Sequence, residues 1–233
     1  MKKLLLWIIP LAYLIMANTT IQKVTGLSTL DSYIIYKVGL ALLFLVGVIL
    51  THTTREVGTS LKVKIAVIKY LWLFVVFACL QIAVNGFNVD STMFIKYLLL
   101  AIAIGIIEEL VFRGILFHLL RGRTQIKIVL ISASVFAAIH LLNFFGGMSP
   151  LFIGLQIFAA FSIGLMLGVA RMKDNTIWMV VIAHTLINLS TFVSVGLENP
   201  KLNTTEVLMW LIPSLAFFLA GIIRLKDLNK VST

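Results

Sequence analysis

Seven residues in three short runs have the types and spacing to do chemistry: Glu108, Glu109 and Arg113; Phe136 and His140; His184 and Asn188. Each run is embedded in an otherwise apolar stretch. In a membrane span a carboxylate near the bilayer centre costs about 2.5–3.5 kcal/mol on the insertion scale. Two adjacent glutamates there are an expense that stability alone does not explain. Glu109 and Arg113 are four residues apart, so they share a helical face and can pair. Glu108 projects about 100° away from that face and has no local counter-ion. It is therefore the carboxyl suited to general base or acid work. His184 and Asn188 share a face by the same spacing, as do Phe136 and His140.

The elements that must position these groups follow from composition. The chain has 233 residues, of which 61% are hydrophobic and only 12% charged. Its mean hydropathy is +1.09. A soluble domain runs near ~25% charged, and a small sphere cannot hide this much apolar surface. A soluble enzyme, a disordered tail and a secreted disulfide scaffold are excluded. A single cysteine, Cys79, allows no internal disulfide and is expected only to pack. The expected fold is all-α: one integral membrane domain over residues 1–233. Eight apolar segments account for it: Leu4–Ala17, Tyr33–Leu50, Ile65–Val84, Phe94–Leu120, Ile126–Phe145, Pro150–Ala170, Thr176–Val195 and Val207–Ile223. The first is read as a retained signal-anchor helix. The fourth is long and charged at its far end, so part of it is expected beyond the hydrocarbon.

The net charge of +10 is a matter of topology, and no nucleic-acid partner is expected. Of the 19 Lys and Arg, 13 fall on the side of the N-terminus, such as Arg55, Arg121, Arg171 and Arg224, while only Lys23 and Lys201 fall opposite. Both termini are thereby expected in the cytoplasm, with membrane lipid as the surrounding partner. Gly164 and Gly168 form a G-x-x-x-G spacing that reads as close helix packing. Counting ~1.5 Å per residue puts Glu108, His140 and His184 within roughly 10 Å of the bilayer midplane. Ionisable groups at that depth face a bundle interior or a water-filled cavity, and one shared cavity is the economical arrangement.

Taken singly, a membrane histidine is usually a helix-packing hydrogen bonder, and a Glu–Arg pair is often structural. Taken together, a glutamate, two histidines and an asparagine offer two chemistries. They can activate water for hydrolysis, with His184 and Asn188 facing the developing oxyanion. Alternatively Glu108, His140 and His184 can hold a divalent metal such as zinc. The H-E-x-x-H spacing is absent and gives the metal no independent support. No aspartate lies in a span and no nucleophile elbow occurs, which removes aspartyl and serine chemistries.

The runs read E-E-x-x-x-R, F-x-x-x-H and H-x-x-x-N in order. In that order, within eight apolar segments, they resemble the CPBP family of CAAX proteases and bacteriocin-processing or immunity proteins, also called Abi. Type II CAAX prenyl endopeptidases belong to it. The resemblance covers about residues 94–195. It implies an intramembrane endopeptidase in which Glu108 and His140 activate water, and His184 and Asn188 form the oxyanion site. Glu109 and Arg113 would hold the helix and orient Glu108, with Phe136 in support. Family members are often labelled metalloproteases, and a metal-free glutamate mechanism has also been argued; the H-x-x-x-N pair fits oxyanion donors better than ligands. The substrate expected is a hydrophobic or lipidated peptide or protein, and the short loops resemble the bacterial branch. The roles there are bacteriocin or signal-peptide maturation and self-immunity. Two other classes compete. A non-catalytic immunity or scaffold protein binding a toxin or receptor would tolerate Glu108→Gln. A proton-coupled transporter would show matched halves, and the sequence has none.

Overall fold

Lipid offers the backbone no hydrogen bonds, so long apolar runs must satisfy their peptide groups internally as helices. The structure, a computed structural model, describes residues 25–60, 68–146, 148–174, 176–197 and 203–229. Every regular element among them is helical. Helix α1 spans Thr29–Leu50 and α2 spans Ile68–Asn85. Helix α3, Ser91–Glu109, runs through a π-helical turn, Leu110–Ile115, into the single turn α4, Leu116–Leu119. Helix α5, Gln125–Ala138, tightens into a 3-10 helix, Ile139–Gly146. Helices α6, Pro150–Asp174, α7, Trp178–Ser194, and α8, Thr204–Asn229, complete the order. Polar side chains start the helices where the N–H groups lack partners. Ser28 Oγ accepts from Asp31 N–H (3.1 Å), Asp90 Oδ1 from Met93 N–H (2.8 Å) and Asn203 Oδ1 from Glu206 N–H (2.8 Å).

Five of these stretches are long and apolar enough to cross a membrane: Thr29–Leu50, Ile68–Asn85, Gln125–Phe144, Pro150–Asp174 and Thr204–Leu228; Trp178–Ser194 is apolar but shorter. Ile212, Ile223, Leu42 and Trp72 are exposed, whereas Glu109 and Arg113 are fully buried. Apolar groups outside and charges inside is the distribution a membrane protein requires. The fold is an all-α polytopic membrane protein. Seven of the eight expected segments have helical counterparts among the described residues; Leu4–Ala17, with its reading as a retained anchor, lies outside them. Two segments depart from uniform α-helix. The fourth changes to π geometry directly after the glutamates, and the fifth changes to 3-10 geometry at His140. Cys79, expected to pack, is exposed on α2 instead.

The helices pack in two groups. In the first, α3 lies between α1 and α7, and α2 packs along α7. In the second, α6 lies between α5 and α8. The π turn touches both α5 and α6 and helps join the groups. The α5–α6 contact is close because of the G-x-x-x-G spacing. A Cβ at Gly164 would lie 3.2 Å from Ala133 Cα, and one at Gly168 would lie 2.9 Å from Val129 Cγ1. Residues 51–60 seal the end of the bundle below the π turn. Gly58 O accepts from Ile177 N–H (2.8 Å), and Thr59 O from Trp178 Nε1–H (3.0 Å). Val57 is buried there, its carbonyl 3.1 Å from where a Gly114 Cβ would stand.

Candidate active site

The end of α3 places both glutamates against α7. Glu109 has no exposed side-chain surface, while Glu108 keeps 30% of its own. That difference decides which carboxyl can meet a substrate. Glu109 Oε1 accepts from Arg113 Nη1 (2.9 Å) and from His184 Nδ1 (2.7 Å). The second bond joins residues 75 apart in sequence. A carboxylate oxygen held by two donors is well satisfied in a medium where an unpaired charge would be very costly. Arg113, also fully buried, crosses to the second group. Its Nη2 donates to Gly164 O (3.4 Å), and its guanidinium carbon lies 4.5 Å over the Phe136 ring. Within the π turn, Ser132 Oγ of α5 donates to Phe112 O (3.0 Å), a second polar link across the same seam.

Both histidines commit the same ring nitrogen. His184 Nδ1 faces a carboxylate that accepts only, so Nδ1 carries the proton and Nε2 is left facing Glu108 Oε2 at 3.4 Å. His140 Nδ1 lies 2.9 Å from Phe136 O. A carbonyl also accepts only, so His140 too presents Nε2 for chemistry. This bond lies where the α-helix passes into 3-10 helix: the ring meets the i−4 carbonyl, the one a helical N–H of residue 140 would also use. Phe136 packs edge-on against both imidazoles, with centroids 5.3 Å from His140 and 5.7 Å from His184. It packs against both rings and takes up neither Nε2.

The structure brings Glu108, Glu109, Arg113, Phe136 and His184 together through direct contacts. His140 joins them through Phe136; no ion pair links it to Glu108 among the described residues. Asn188, one turn after His184, has a buried Nδ2 with no partner among the described residues. The sequence reading pairs Glu109 with Arg113 and lets both orient Glu108. The geometry retains that pair and gives Glu109 a further contact, His184. Three positions went unread in the sequence as parts of this site. Ser132 and the Gly164 carbonyl serve the seam. Gly105, one turn before Glu109, is the third: a Cβ there would lie 2.7 Å from Thr185 Oγ1 and 3.2 Å from Val181 O. Only a missing side chain lets α7 approach closely enough to carry His184 to the glutamates. A lone glycine gives no such signal; only the G-x-x-x-G spacing pointed towards Gly164.

The donor set also tests the metal reading. Among the described residues no three His, Cys, Asp or Glu are grouped to hold an ion. Each imidazole keeps Nε2 for a ligand while Nδ1 meets a protein oxygen, as metal-binding histidines do, but no ion pair links His140 to Glu108 among the described residues. The described residues as arranged do not group three ligands around one zinc ion.

Fold and seam together define a polytopic helical membrane protein with a polar, partly open cluster between its helix groups. Residues 90–190 match the family model described as type II CAAX prenyl endopeptidase Rce1-like. This stretch holds all three motifs, and over it the chain is similar to that family. No curated protein and no solved structure matches the chain.

Proposed function

We propose that this protein is an intramembrane endopeptidase that hydrolyses a peptide bond in a hydrophobic or lipidated peptide or protein, with both termini in the cytoplasm. The observation that carries the proposal is His184 held between two carboxylates, with Asn188 Nδ2, unpartnered among the described residues, one turn away. Water bound at Glu108 attacks the scissile carbonyl as the carboxylate takes its proton, and the same carboxyl returns a proton to the leaving amine. The Nε2 of His140 holds the water or the amine in line. With Nδ1–H given to Glu109, a proton on His184 Nε2 makes an imidazolium. Glu108, Glu109, Arg113 and His184 are then two anions and two cations, a neutral set suited to low dielectric. His184 Nε2–H and Asn188 Nδ2–H point donors at the developing oxyanion. Glu109 and Arg113 hold the imidazole and take no proton.

The test compares new peptide ends by mass spectrometry in cells carrying wild type or Glu108→Gln at matched protein level. The expected result is a set of ends seen only with wild type, which also identifies the substrate. Removing the general base should slow cleavage by about 10²–10⁴-fold. Identical sets of ends, with the phenotype intact in both, would overturn the enzyme reading in favour of a non-catalytic immunity or scaffold role.

A further inference from the structure

We infer that Asn143 and Gln156 form a subsite that binds the main chain of the substrate peptide beside His140; this rests on the endopeptidase reading above. In a 3-10 helix, side chains at i and i+3 eclipse. His140 and Asn143 both lie in the 3-10 segment Ile139–Gly146, so Asn143 stands directly above His140 on one face. Asn143 Nδ2 donates to Gln156 Oε1 of α6 at 2.7 Å, and both residues are half-buried. That bond leaves one acceptor, Asn143 Oδ1, and one donor pair, Gln156 Nε2, without a partner among the described residues. An acceptor beside a donor is what an extended peptide unit needs to satisfy its N–H and C=O.

The need is specific to this reaction. A peptide bond can be cleaved at membrane depth only after its segment leaves helical pairing. Each main-chain group freed in lipid is then costly unless a polar partner meets it. The hydrolytic groups serve the scissile unit alone. Asn143 and Gln156 are the polar side chains next along from His140, set among the exposed apolar residues Leu141, Leu142 and Phe144. Both amides keep one hydrogen bond between themselves, which preorganises them without using the groups that substrate needs.

The experiment is an ester scan. The probe is a quenched-fluorescence peptide ending in a farnesylated cysteine, two aliphatic residues and methionine, presented in detergent micelles. Each non-scissile peptide bond near the cleavage point is replaced in turn by an ester, which deletes one N–H. Cleavage by wild type and not by Glu108→Gln first establishes hydrolysis of the probe. In wild type at least one ester should lower kcat/KM by roughly five- to tenfold, the value of one lost hydrogen bond. In Asn143→Leu that penalty should vanish while the others persist. In Gln156→Leu, read as a second, independent variant on another helix, the same position should lose its penalty because the Asn143 amide is no longer oriented. Ester profiles of the same shape in wild type and both variants would overturn the subsite and leave the pair as an interhelical tether, whatever the overall rate. Equal inactivity of wild type and Glu108→Gln on the probe would fail the endopeptidase reading at the prior step, and the subsite with it.

Discussion

The two helix groups divide the labour. The group of α1, α2, α3 and α7 carries Glu108, Glu109, His184 and Asn188, so both carboxyls, one imidazole and the amide sit on two adjacent helices. The group of α5 with its 3-10 extension, α6 and α8 carries Phe136, His140, Asn143 and Gln156, which on the proposed reading face the substrate. In the first, charges meet across a helix contact made close by Gly105; in the second, an apolar contact is made close by Gly164 and Gly168. On the proposed mechanism one group fixes the reacting atoms, and the other supplies the wall they work against. Arg113 belongs to the first by its bond to Glu109 and to the second through Gly164 O and Phe136. The same kind of packing device thus serves chemistry in one place and architecture in the other.

Arg113→Ala should have the largest effect, because it removes the joint and leaves Glu109 buried with half its partners. Breaking a buried pair costs about 3–5 kcal/mol. The expected outcome is a large drop in melting temperature in detergent together with lost cleavage. A stable but inactive variant would place Arg113 in the chemistry and dissolve its role as joint. Gly105→Ala tests the first group alone. The added methyl meets Thr185 Oγ1 and the Val181 carbonyl, and α7 must move outward. A displacement near 1 Å is enough to cost about 10²-fold in rate. The loss should fall on kcat, with melting lowered only slightly. Restored activity in Gly105→Ala/Thr185→Ala, which removes the closest clash, would tie the loss to helix spacing.

Gly168→Ala makes the matching change in the second group, against Val129 Cγ1. Overpacking there should cost about 1–3 kcal/mol. Here the melting temperature should fall while kcat changes little. If Gly105→Ala and Gly168→Ala had the same ratio of activity loss to stability loss, the division between the groups would be void.

Much of the architecture was legible in the sequence. Few charges and long apolar runs dictate membrane helices, and the i, i+4 spacing of Glu109 and Arg113 dictates their pairing. The spacing of Gly164 and Gly168 announces a close contact, though not its partners Ala133 and Val129. The three motifs all fall within the Rce1-like match over 90–190. Less legible were the changes of helix type. At the turn to 3-10 geometry a histidine ring meets a carbonyl of its own chain. The 3-10 segment sets His140 and Asn143 in line, where an α-helix would offset them by about 60°.

What the sequence determined by itself is local: helix periodicity relates residues three and four apart, and composition decides which solvent surrounds them. What only the tertiary structure decided is distant. His184 closes on Glu109 across 75 residues, Arg113 reaches the Gly164 carbonyl across 51, and Asn143 reaches Gln156 between successive helices. Each of these bonds depends on how near two helices come and how they are rotated about their axes. Those quantities are set by side chains such as Gly105 and Gly164 meeting partners elsewhere in the chain, and no local period encodes them.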